Sequence, residues 1–112
     1  MDKIIEKLKE YGADVDGAMR RFLDDEELYK SCFIIFLEDK AFLKLEEALA
    51  VEDYEKAFEC AHTLKGVAGN MGLNPIYKVI CDMVEALRSK EYSGLQSFNR
   101  ELLRQLELLK QL

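Results

Sequence analysis

The sequence has one proline, six glycines, three cysteines, a single histidine and no tryptophan in 112 residues. With so few helix breakers and no stretch of alternating β-branched residues, helix is favoured nearly throughout. Cys32, Cys60 and Cys81 are odd in number and scattered, which argues against a disulfide frame and for buried thiols in a reducing compartment. No apolar run approaches the roughly 18 residues of a membrane span. The opening MDKIIEKLKEYG has neither an apolar signal core nor a small-residue cleavage site. Positive charge is also scarce, since 16 Lys and Arg face 22 Asp and Glu for a net charge of -6. Phosphate backbones and anionic lipid would both repel such a chain. These shortages predict a cytoplasmic, monomeric, single-domain protein with no nucleic-acid or membrane partner.

What is present is apolar material, 49% of the residues, enough for one core. Asp2 can cap a short helix carrying Ile4, Ile5 and Leu8 and ended by Gly12. Asp14 can cap a second, with Val15, Met19, Phe22 and Leu23, which Gly17 weakens. Asp24 with Glu27 reads as a capping box for residues 25–50. There, Leu28, Tyr29, Cys32, Phe33, Phe36 and Leu37 make one stripe. Ala41, Phe42, Leu45, Ala48 and Leu49 make another, out of phase, so a break is expected near 38–40.

Asp53 can cap a helix running to about Met71, with Ala57, Ala61, Leu64, Ala68 and Met71 as a narrow inward seam. Gly72 suits the left-handed position after it, and Asn74 caps the next helix with Pro75 at its first position. Ile76, Val79, Ile80, Met83 and Leu87 give that helix its buried face. Ser93 and Gln96 form a second capping box, opening a last helix with Leu95, Phe98, Leu102, Leu106 and Leu109. The expected fold is all-α: an antiparallel up-and-down four-helix bundle over about 25–111, with short additional N-terminal helices over about 2–23, in one domain spanning 1–112.

Chemistry concentrates at His62, in AHTLKGVAGNMG. At 100° per residue the imidazole points about 130° away from the inward seam of its helix. Lys65, Gly66 and Gly69 follow at three, four and seven residues and share its face. Each helical glycine gives up about 1 kcal/mol relative to Ala, which an exposed face does not recover unless another surface must come close. A lone surface histidine is the commoner meaning of such a residue, and the flanking glycines with a cation three residues on weigh against it; a solvated surface charge remains a sizeable competing reading of Lys65. A zinc site is disfavoured because Cys60 points to nearly the opposite side and no second histidine exists. Neither a nucleophile elbow nor a phosphate-binding glycine loop is present, so the chain is not expected to use ATP itself. The imidazole as nucleophile remains: a free imidazole titrates near about 6.5, leaving the neutral ring with a lone pair able to attack phosphorus. Lys65 can offset charge on a transferring phosphoryl group.

The stretch His62-Thr63-Leu64-Lys65-Gly66, with Ala68-Gly69-Asn70-Met71-Gly72, resembles the signature of histidine-containing phosphotransfer (HPt) domains. Upstream, Tyr11-Gly12-Ala13-Asp14-Val15, Arg21-Phe22 and Glu27-Leu28-Tyr29 are similar to the opening segment of a bacterial subgroup. Phe36, Leu45, Ala48-Leu49 and Asp53 also fit, so the resemblance extends over essentially the whole chain. Met71 stands where Leu is commoner, and the segment between Phe36 and His62 is slightly short. The resemblance implies that His62 accepts a phosphoryl group on its outer ring nitrogen, that Lys65 assists, that Gly66 admits the partner and that Gly69 occupies a small-residue position. It implies transfer from the aspartate of one response-regulator receiver domain to that of another, with no kinase activity of its own. A hybrid sensor histidine kinase is a further implied partner. No cofactor is intrinsic, and Mg2+ is expected on the receiver.

Ile34 and Ile35 are candidate docking residues, because the run 32–37 cannot all face inward, although burial between helices is the competing reading. Glu55 and Glu59 share the broad side of His62 and can orient its ring by hydrogen bonding, against the commoner meaning of a solvated acidic face. The alternative function is a non-catalytic helical module that binds receivers or acts as an adaptor.

Overall fold

The computed structural model describes residues 3–112, and the expected cap at Asp2 lies outside them. Seven helices occur among the described residues, and no strand: α1 (Lys3–Tyr11), α2 (Val15–Arg21), α3 (Glu26–Leu37), α4 (Ala41–Ala50), α5 (Tyr54–Asn70), α6 (Asn74–Arg88) and α7 (Leu95–Lys110). The all-helical expectation holds. Helix α5 is central, packing against α4 on one side and α6 on the other; α6 packs on α7, which also touches α3 and α4. None of these helices is long and apolar enough to cross a membrane.

The inward seam of α5 is as the spacing predicts. Ala57, Ala61, Leu64, Ala68 and Met71 are all buried, and the three alanines among them let the flanking helices approach. The phase change between the two upstream stripes is a true break. Helix α3 stops at Leu37, and the Asp39 carboxylate accepts a hydrogen bond from the Ala41 amide at 2.8 Å to start α4. Ala41, Phe42, Leu45, Ala48 and Leu49 are then buried together. Asp14 and Asp53 cap α2 and α5 as expected, each accepting a 3.1 Å bond from the amide three residues on.

Three expected caps are displaced. Asp25, not Asp24, caps α3, accepting from the Leu28 amide at 3.0 Å. Leu23 and Asp24 adopt φ of 55° and 59° to close the end of α2, so Asp25 is the first residue free to cap. Asn74 is already inside α6, and Leu73, whose hydrocarbon side chain is fully buried and has no acceptor to offer, holds the cap position. Helix α7 begins at Leu95 behind Gly94 rather than from a Ser93–Gln96 box. The preceding turn is fixed instead by Tyr92, stacked on Tyr54 with ring centroids 3.6 Å apart, and by burial of Leu95. Two residues assigned to inward stripes are exposed, Leu23 at 87% and Leu28 at 46%. Val79 is only half-buried, and Val84 takes a place in the core of α6.

The N-terminal helices are fastened to the corner between α5 and α6. The Asp14 amide donates to the Gly72 carbonyl at 2.8 Å. The buried Tyr29 hydroxyl donates to the Met71 carbonyl at 2.8 Å. The Arg21 guanidinium donates to the Asn70 and Gly69 carbonyls at 2.8 and 3.2 Å. Carbonyls that a helix end leaves without intrahelical partners are thereby satisfied.

Candidate functional site

His62 lies mid-way along α5 with its side chain exposed. Asp53 starts the helix and the buried seam fixes its rotation, so the imidazole is turned to solvent by the packing of the opposite face. Lys65 is half-buried and, among the described residues, forms no ion pair. A Cβ added to Gly66 would meet nothing within 4 Å. The backbone beside the histidine is therefore open to an approaching surface.

His62, Lys65, Gly66, Gly69, Asn70 and Tyr77 line one hollow of 310 Å³. Four residues singled out in the sequence are thus brought together. Gly69 has a second reason to lack a side chain, because a Cβ there would lie 3.0 Å from Cε1 of Tyr77. Tyr77 leans against α5 and walls the hollow. Its phenol is raised above the ordinary range, first by a hydrogen bond with Cys81. Cys60 is buried, which raises its thiol likewise, and it belongs to the inner side of α5. No group of three or more His, Cys, Asp or Glu among the described residues is placed to hold a metal ion.

The other candidates stand apart from this hollow. Glu59 is exposed and lines a neighbouring 310 Å³ depression with Lys40, Lys44, Lys56, Cys60 and Thr63. Among the described residues neither Glu55 nor Glu59 hydrogen-bonds His62, so ring orientation by these carboxylates is not what the structure contains. Ile34 and Ile35 are 54% and 67% exposed on α3, which excludes their burial between helices, and neither lines the hollow.

The contact that His62 does make went unnoticed in the sequence. Its ring lies parallel to that of Phe58, with centroids 5.8 Å apart and 8° between the planes. The signal was available, since an aromatic four residues before a histidine on a helix shares its face. Tyr77 was missed for a different reason, because it reaches the site from another helix.

Fold and site together define an all-helical domain with a solvent-open histidine beside bare backbone. A family model, the Hpt domain, matches residues 37–112, more than half of the chain, and the chain belongs to this family. Hpt domains serve phosphotransfer in two-component systems and interact with response-regulator receiver domains. No curated protein and no solved structure matches the chain. The family match begins at Leu37, so the resemblance read over α1–α3 has no counterpart in it.

Proposed function

We propose that this chain is a phosphorelay intermediate, taking a phosphoryl group onto His62 from a receiver aspartate and passing it to the aspartate of another receiver. The observation that carries the reading is the open space beside Gly66, one turn from an exposed imidazole. In the forward step the lone pair of Nε2 attacks the phosphorus of the aspartyl phosphate. The N–P bond forms as the acyl P–O bond breaks, its electron pair leaves on the carboxylate, and the ring keeps its proton on Nδ1. The ammonium of Lys65 offsets charge on the phosphoryl oxygens. Mg2+ belongs to the acidic pocket of the receiver, and the onward step is the same exchange in reverse.

Gly66 and Gly69 admit the receiver to the hollow, while the exposed Ile34, Ile35 and Glu59 extend its docking surface. Helices α4–α7 serve as the antiparallel four-helix frame that holds α5 rigid under the reacting atom. Incubation with a 32P-labelled receiver tests the proposal. Wild-type protein takes the label, and His62→Gln takes none while keeping its helical circular dichroism. Label on the glutamine variant would overturn the assignment; receiver binding without any label on the wild-type chain would favour the adaptor reading.

A further inference from the structure

We infer that Phe58 is a positioning residue for His62, holding the imidazole plane by ring stacking where a hydrogen bond would otherwise do so. The inference rests on the proposed phosphoryl role of His62. Among the described residues the imidazole makes no hydrogen bond and no ion pair, and its ring partner is Phe58 at 5.8 Å and 8°. Two torsions therefore decide where the ring nitrogens point, and the Phe58 face restricts both.

Phe58 is suited to that task because it is itself held. It is half-buried and packed against the core. The guanidinium carbon of Arg88 stands 5.7 Å from its ring centroid, and Arg88 is bonded in turn to Glu85. The brace thus reaches His62 from α6 across the surface of α5. Stacking differs from hydrogen bonding in one respect that matters for a nucleophile. It fixes the plane and commits neither ring nitrogen, so one lone pair stays free for phosphorus. A ring already oriented loses less freedom on reaching the attack geometry.

The test uses the full chain and three variants. Phe58→Leu keeps an apolar side chain but removes the flat face, and Phe58→Trp restores one. Phe58→Met, apolar and not flat, stands in if the leucine variant loses its helical spectrum. In wild type, proton NMR finds the His62 ring protons shifted upfield by the Phe58 ring current; the shift disappears in Phe58→Leu and persists in Phe58→Trp. With a phosphorylated receiver as donor, kcat falls about two- to ten-fold in Phe58→Leu, the factor a stacked aromatic pair is worth. KM for the receiver is unchanged, and Phe58→Trp recovers the rate. Unshifted ring protons in wild type, or a leucine variant with wild-type kcat, overturns the inference. A raised KM with unchanged kcat overturns it too, by making Phe58 a docking residue. A wild-type chain that takes no label defeats the phosphoryl reading, and the ring-proton shifts, which need no transfer, tell that failure from loss of the stack.

Discussion

A Cβ placed on Gly66 meets nothing within 4 Å, whereas one placed on Gly69 lies 3.0 Å from the Tyr77 ring. The two glycines sit three residues apart on one face of α5, and helical geometry alone treats them as a single device for clearing a path. Only the neighbouring helix separates them, and nothing in the spacing of α5 reveals where Tyr77 lands. Gly66→Ala gains helix propensity at no steric cost, so it is expected to stabilise the fold by about 1 kcal/mol. That corresponds to a rise of about 4 °C in Tm for a domain of this size. Gly69→Ala must displace Tyr77 and melts below Gly66→Ala. Thermal melts of the pair check this, with label transfer from a receiver expected to slow in Gly66→Ala despite its greater stability. The outward aim of His62 was legible, because it follows from the apolar seam behind it. Its stacking partner lies on the same helix and was equally legible; Tyr77 was not.

At the scale of the elements, periodicity read the helices well and capping chemistry placed their starts less well. Asp14 and Asp53 cap their helices where the sequence places them. The register slips at Asp25, Leu73 and Gly94, where a left-handed pair, a buried leucine and a stacked tyrosine set the turn instead. A sequence pattern weighs local hydrogen bonds, and at these corners burial outweighs them. Gly72 was legible as left-handed, and its φ is +69°. Its tertiary duty was not: a Cβ there would come within 2.5 Å of the Asp14 carbonyl oxygen, on the segment whose amide bonds the Gly72 carbonyl. Gly72→Ala therefore incurs left-handed strain of about 1–3 kcal/mol and also dislodges the α1–α2 connection. Urea unfolding should find the midpoint lowered, and further below wild type than in Gly69→Ala.

For the molecule as a whole, the family match over residues 37–112 leaves three helices that are nonetheless tied into it. Two tyrosines carry much of that tie. The Tyr29 hydroxyl bonds the Met71 carbonyl and the Tyr11 hydroxyl bonds Gln105 Oε1 at 2.7 Å, and burial pushes each phenol up to about 12 from 10.0. A phenol that holds its proton longer when folded favours the folded state fully below pH 10.0, and that advantage is lost as the pH climbs to about 12. Stability should fall across this window, and Tyr29→Phe should flatten the fall while lowering stability at neutral pH; denaturant titrations at stepped pH measure both.

Lys7, mid-way along α1, donates from its ammonium to the carbonyl of Leu112 at 3.1 Å, so the first described helix is joined to the last described residue at one contact on a molecule 44 Å long. Any domain fused before the first helix and any fused after the last would hang from that same pivot. A receiver tethered there by about 13 extended residues of linker can reach any point along the 44 Å long axis. Beyond that length, its encounter with the imidazole is governed by the local concentration the tether imposes, and no longer by how much receiver the cell makes.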